Sequence, residues 1–240
     1  MNEIPDKPLE QGIQTLASKG LNLFAILPNS KLQQSAQQSL SGLDFPLSEA
    51  TRVILIGHAG QSLWQKLQIQ TLTQSDPVDY YSHMAAQAFA EEVLADSDYQ
   101  IIYPGDKSVA LQQLGALAGW HTPSPLGLGI NPRWGVWYAY RAALLTNAPL
   151  PVMLEAEPDN PCNQCADKPC ITHCPAGALA ENRQIDMTRC ACYRLSEQSA
   201  CTDRCLARIS CPVSTQHRYT LDQIQYHYRL SLETLRHYYQ

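Results

Sequence analysis

The sequence predicts an α+β protein: a mixed domain of strands and helices followed by a small cysteine-rich domain. Two observations predict it. Over the first 155 residues, short apolar runs bounded by breakers alternate with segments of helical period. All nine cysteines then fall between Cys162 and Cys211, and residues 1–161 contain none.

In chain order, Leu21–Leu27 and Arg52–Gly57 read as buried strands, each ending at a breaker. Residues 77–95 turn helical, with Tyr80, Met84, Ala88 and Val93 placed to share a face. Gln100–Tyr103 is a short strand stopped by Pro104-Gly105, and a helix from Lys107 to Ala118 is expected to end at Gly119 as a C-cap. Glycines and prolines make His121–Asn131 a loop, and Gly135–Leu145 a strand with alternating aromatic and small side chains. A proline-rich, acidic connector places a boundary near residue 155. The expected division is therefore 1–155, 156–218 and a C-terminal helix over 219–240, opened by a Thr220/Gln223 capping box. Its stripe of Leu221, Ile224, Tyr228, Leu232 and Leu235 reads as a face docked on the protein's own core.

Composition narrows the function. With 45% hydrophobic and 16% charged residues over 240 positions, the chain can bury a sizeable core. A net charge of −5 argues against binding driven by phosphate neutralisation. The polar start Met1–Lys7 lacks the pattern of a secretion signal, and no apolar run approaches the roughly 20 residues a bilayer requires, so a cytoplasmic, non-membrane protein is expected.

An odd number of clustered cysteines without a signal peptide reads poorly as a disulfide framework and well as a set of metal ligands. Cys162, Cys165, Cys170 and Cys174 are separated by two, four and three residues and closed by Pro175. This resembles the bacterial ferredoxin motif, in which thiolates converge on a [4Fe–4S] cube from one short loop and the fourth cysteine serves a second cluster. It has two extra residues before the third cysteine. Pro175 is expected to open a short helix over Ala176–Ala180. A second set follows, Cys190, Cys192, Cys201, Cys205 and Cys211, with Pro212 repeating the Cys-Pro ending. By the crossed arrangement of two-cluster ferredoxins, Cys162, Cys165, Cys170 and Cys211 would hold one cluster. Cys174, Cys190, Cys201 and Cys205 would hold the other, with Cys192 spare or exchangeable with Cys190. Structural zinc also uses Cys-x-x-Cys pairs, but prefers two separated pairs to a graded run. The arginines at 189, 194, 204, 208 and 218 either compensate anionic clusters or face solvent.

Ahead of the cysteines, Gly127-Leu128-Gly129-Ile130-Asn131-Pro132-Arg133-Trp134-Gly135-Val136-Trp137-Tyr138 and Asp79-Tyr80-Tyr81 resemble segments of the cobalamin-dependent epoxyqueuosine reductases. The Asn131–Gly135 core is similar also to that of the vitamin B12 processing chaperones, and reductive dehalogenases share the overall plan. The resemblance implies a flavin-reductase-like (nitroreductase-like) domain holding a corrinoid, with a ferredoxin-like two-cluster domain delivering electrons to it. It assigns corrinoid contacts to Gly127, Gly129, Asn131, Arg133, Gly135 and Trp137. It implies an electron donor of flavodoxin or reductase type, and tRNA as a partner only for a true epoxyqueuosine reductase. The family's proton-donating acid is matched imperfectly: Asp106 is the nearest acid, one position away, and reads equally as the N-cap of a helix from Lys107. Tyr103, Trp120 and His121 are further candidates to line a pocket, or ordinary core and loop residues. Two other classes stay open: an electron carrier whose first domain docks a partner, and a zinc-stapled binding protein.

Overall fold

The computed structural model describes residues 6–68, 76–182 and 184–239. Its elements are α1 (Asp6–Ser18), β1 (Leu23–Pro28), α2 (Gln34–Ser41), β2 (Arg52–Ala59), α3 (Ser62–Gln68), α4 (Pro77–Val93), β3 (Tyr99–Tyr103), α5 (Leu111–Leu117), β4 (Thr122–Pro123), β5 (Gly129–Ile130), β6 (Tyr138–Thr146), α6 (Pro169–Thr172), α7 (Met187–Leu195), α8 (Leu206–Ile209) and α9 (Leu221–Tyr239). They form two compact units, residues 1–121 with 138–157 and residues 122–137 with 158–240. This division differs from the expected one in two places. The glycine loop belongs to the cysteine-bearing unit, and α9 groups with that unit instead of forming a third segment.

The first unit is built on a four-stranded sheet ordered β1-β2-β6-β3, antiparallel throughout. The run Val53–Ala59 is buried along its whole length, as an apolar strand covered on both faces must be. β2 does not stop at Gly57. A bulge falls between Ile56 and Gly57, where a Cβ would stand 2.8 Å from the Ala139 carbonyl, so the glycine permits close strand approach instead of ending the strand. α4 is capped by Asp76, whose carboxylate accepts from Asp79 N–H.

The buried face of α4 is not the expected stripe. Val78, Ser82, Ala85, Ala86, Phe89, Ala90 and Val93 face inward, while Tyr80 and Met84 are 51% and 45% exposed. Small side chains at 85, 86 and 90 let the helix lie close to its neighbours, and a Cβ at Gly12 of α1 would stand 2.7 Å from Val93. Close packing, more than side-chain size, chose the face.

α5 begins at Leu111, four residues later than expected, with Ala110 as its N-cap and no capping side chain. Tertiary contacts hold the preceding segment out of the helix. Lys107 Nζ donates to Gly42 O and Ala110 N–H donates to Ser39 Oγ at 3.4 Å. β6 likewise starts at Tyr138 rather than Gly135, because Asn131 and Gly135 exchange backbone hydrogen bonds of 3.0 and 2.7 Å and close a tight turn. The expected loop 121–131 contains the two-strand ladder β4–β5.

Candidate metal centre

The cysteine unit is made of short pieces, each fixed by a local device. Asn160 Oδ1 accepts from Cys162 N–H at 2.9 Å while its Nδ2 donates to Pro123 O at 2.9 Å, which ties the first cysteine to the β4 strand. Lys168 takes a left-handed conformation (φ 37°) and α6 follows at once, carrying the buried Cys170 inward. The helix expected after Cys174-Pro175 is absent. Gly177 adopts φ +59°, its N–H returns to Cys174 O at 3.0 Å, and the chain leaves in a turn.

α7 carries Cys190 and Cys192. Two residues on a helix lie about 200° apart, so the pair points to opposite sides. Cys190 is half-buried and Cys192 is exposed. The irregular five-residue gap between Cys205 and Cys211 is one helical turn, α8, whose first N–H groups are partly met by Cys205 Sγ accepting from Arg208 N–H at 3.4 Å.

The electrostatic neighbours of the buried thiols divide the cysteines into two foursomes. Burial pushes the Cys170 thiol up to about 11, and Cys211, Cys162 and Cys165 add to the shift as neighbouring charges. Burial raises Cys190 as well, with Cys205, Cys174 and Cys201 as its cysteine neighbours. Cys201 is raised by burial and feels Cys205 and Cys174; Cys211 is raised by burial and feels Cys165. Residues far apart in sequence are thus brought together as Cys162/165/170/211 and Cys174/190/201/205.

The second foursome lines one cavity of about 340 Å³, walled otherwise by apolar groups such as Leu179, Ile185 and Ala207 and by Arg194, Arg204 and Arg208. Of the first foursome, Cys170 and Cys211 lie in the unit's core, 9% and 6% exposed, clustered with Trp137, Leu179, Tyr219 and Ile224, and Cys162 packs against that cluster. Among the described residues, no three His, Cys, Asp or Glu side chains meet at the point a single ion would occupy.

Arg194 is buried and Arg208 half-buried. Arg194 is 8% exposed; its guanidinium donates to Cys201 O at 3.1 Å and Tyr228 O at 2.8 Å, and lies 4.9 Å from the Tyr228 ring. Arg208 lies 4.7 Å from the Trp137 ring and 5.1 Å from Tyr219, and donates to Val136 O at 2.6 Å. Arg189 remains on the surface, holding Gly177 O at 3.1 Å. α9 supplies His227, Tyr228 and Ser231 to the cavity wall. Its Thr220 hydroxyl accepts from Gln223 N–H at 3.4 Å, as expected of the cap, yet Leu221 is 52% exposed and Gln223 is buried in its place.

The six glycine-loop residues part company. Trp137 is fully buried, edge-on to Tyr219 at 5.4 Å. Asn131 is 4% exposed and its Oδ1 accepts from Arg133 N–H at 2.9 Å. Gly135 (φ +61°) is pressed against Val213 O. Gly127 (φ +68°), Gly129 and Arg133 lie toward the surface, the last 4.5 Å from the Trp134 ring. Asp106 is exposed on the bends before α5 and caps no helix. In the first unit, Trp120 is core, stacked on Tyr140 at 6.3 Å, and burial lowers the pKa of His121. Asp79 pairs with Arg141 at 3.6 Å, and Arg141 Nε donates to the buried His58 Nδ1 at 3.1 Å. Burial raises the Asp79 pKa, the charge of Asp76 adds to it, and Arg141 opposes it. Burial also raises Tyr103, to which Asp79 contributes. The Tyr81 hydroxyl donates to Lys19 O at 3.0 Å.

No family model matches the chain. The epoxyqueuosine reductase of Aliivibrio fischeri (strain ATCC 700601 / ES114) is 38% identical over 81 residues, which is 34% of this chain and 20% of that protein. The chain resembles epoxyqueuosine reductase in both sequence and fold. The sequence match spans about a fifth of that relative's length. The structure of the Bacillus subtilis epoxyqueuosine reductase superposes with a TM-score of 0.60 at 14% identity, over 90% of this chain and 68% of that one. Another epoxyqueuosine reductase, bound to a tRNA stem loop, gives 0.59 at 15% identity over 92% and 68%. The Caenorhabditis elegans B12-trafficking protein CblC gives 0.53 at 13% identity over 97% of both chains. A catabolic reductive dehalogenase gives 0.54 at 13% identity over 90% of this chain and 33% of that one. The α+β, nitroreductase-like class expected from the resemblance is therefore the fold of this chain. Among the described residues no helix is long and apolar enough to cross a membrane.

Proposed function

We propose that the chain is an iron–sulfur oxidoreductase that carries electrons through two [4Fe–4S] clusters, one on Cys162, Cys165, Cys170 and Cys211 and one on Cys174, Cys190, Cys201 and Cys205. What supports this reading is that Cys170 has Cys162, Cys165 and Cys211 as neighbours and Cys190 has Cys174, Cys201 and Cys205, the latter four around a largely apolar cavity that three arginines also line. Buried thiols beside a buried arginine, Arg194, and a half-buried one, Arg208, suit an anionic cluster, which supplies reversible one-electron transfer when bound. The protein's own part is to hold the thiolates in place, exclude water with Leu179, Ile185 and Ala207, and offset negative charge with Arg194 and Arg208.

The test is metal content. Purified without oxygen, the protein is expected to carry about eight irons with matching sulfide and a brown absorbance that dithionite bleaches. Stoichiometric zinc without sulfide would overturn the reading, and about four irons would remove one cluster.

The terminal acceptor in this proposal is a corrinoid, on the strength of the likeness to epoxyqueuosine reductase and the B12-trafficking protein. A cobalt(I) corrinoid is a strong reductant, and clusters of this type reach about −400 mV or below. Of the six assigned contacts, Gly127 and Arg133 are exposed and Gly129 is half-buried. Gly129→Val is therefore expected to weaken cobalamin binding at least about tenfold, or 1.4 kcal/mol, with iron content unchanged. Isothermal titration decides it: unchanged affinity in the variant moves the site elsewhere. The second reading, an electron carrier without substrate chemistry of its own, is favoured by the enclosure of Trp137, Asn131 and Gly135 in packing. Absence of any cobalamin binding by the iron-loaded protein selects it. In either case the donor is a low-potential protein of flavodoxin or reductase type, and tRNA is a substrate only under the epoxyqueuosine reductase reading.

A further inference from the structure

Arg208 occupies a position that neither cysteine spacing nor likeness to other proteins assigns. It stands midway between Cys205 and Cys211, one from each foursome, on the single turn that α8 makes between them. Its guanidinium is clamped by the Trp137 and Tyr219 rings at 4.7 and 5.1 Å and anchored by Val136 O at 2.6 Å. The same side chain lines the cavity of the second foursome, while its charge, with that of Arg218, bears on Cys211 of the first. Its Nε is buried and has no hydrogen-bond partner. No carboxylate is paired with it among the ion pairs of the described residues. Arg208 as a whole is half-buried, but a cation with a buried, idle donor is costly unless negative charge stands nearby. Cluster-bound thiolates on either side, under the two-cluster reading, would supply that charge.

We propose that Arg208 is the positioning residue that sets the reduction potentials of both clusters together, from a fixed point between them. This rests on the two-cluster reading above. Each electron delivered, by dithionite in the test or by a low-potential protein donor in use, adds one negative charge to the site that receives it. A fixed cation stabilises the reduced form more than the oxidised form and so raises the potential. The N–H of Arg208 acts in the same direction on Cys205 Sγ, from 3.4 Å.

The experiment is an anaerobic dithionite titration followed by electron paramagnetic resonance, with iron and sulfide assayed in the same samples. Arg208→Gln is expected to lower both potentials so that the reduced-to-oxidised ratio at a given poise falls at least tenfold, about 59 mV for a one-electron couple. Arg208→Lys keeps the charge and is expected to stay within threefold of the unaltered protein, even though loss of the ring contacts lowers its thermal stability. Arg189→Gln, on the surface, is the control and should shift neither potential. Unchanged potentials in an iron-replete Arg208→Gln variant would overturn the proposal, as would a shift confined to one cluster. If the glutamine variant loses iron, the lysine variant decides: a tenfold shift there means that charge is not what Arg208 contributes. Absence of iron from the unaltered protein sinks the cluster reading itself, and is seen before any potential is measured.

Discussion

Cys170→Ser is expected to remove about half of the iron and to destabilise the cysteine unit, whereas Cys192→Ser should keep the full complement. The two residues differ in everything that matters to a ligand. Cys170 is 9% exposed, sits in the core cluster with Cys211 and Trp137, and has Cys211, Cys162 and Cys165 as charged neighbours. A thiolate at that point ties the loop of residues 162–174 to the chain at 211, so its loss removes a cross-link as well as a bond. Cys192 is exposed on the side of α7 away from Cys190. Iron per chain, measured anaerobically on both variants and followed by thermal unfolding, separates them. Equal iron loss would mean that α7 turns its other face to the cluster and that Cys192 is the ligand.

Trp137→Ala should cost about 3–5 kcal/mol of stability, the range for deleting a fully buried aromatic side chain. The ring is inaccessible to solvent, packs edge-on to Tyr219 and carries the Arg208 guanidinium on its face. Loss of the cation–ring contact adds about 0.5–2 kcal/mol. Trp137→Phe should recover most of the loss, because the Nε1 hydrogen is buried without a partner and phenylalanine forfeits no hydrogen bond. Guanidinium unfolding of the iron-loaded protein measures both. A loss below about 1 kcal/mol in the alanine variant would show that the ring is replaceable packing. A stable alanine variant that no longer binds cobalamin would return Trp137 to a cofactor role.

Neighbouring glycines illustrate why the loop reads so differently in one dimension and in three. Gly135 and Gly127 both have positive φ, the conformation that favours glycine. Spacing alone offers the same account of both, room for a flat ring. In the structure a Cβ at Gly135 would collide with the Val213 carbonyl oxygen, and one at the exposed Gly127 would stand 2.8 Å from the Ile185 side chain, so each missing side chain serves the protein's own packing. The sequence contains the glycines but not the identity of what they approach.

By itself the sequence determined what depends on near neighbours and composition: the apolar strands β1, β2 and β3, the N-terminal start of α4 at Pro77, the α9 cap at Thr220, and the confinement of all cysteines to one segment. These are set by φ/ψ preference, side-chain period and local hydrogen bonds, which act within a few residues. Only the tertiary structure decided which face of α4 is buried, where α5 begins, to which unit residues 122–137 belong, and that Arg194 and Arg208 turn inward. Each of those rests on partners distant along the chain. Small residues take α4 against α1 near Gly12, the 107–110 segment hydrogen-bonds to Gly42 and Ser39, and Asn160 fastens Cys162 to Pro123. A charged side chain is solvated by default, and only the convergence of separate thiols around it gives the chain a reason to bury it.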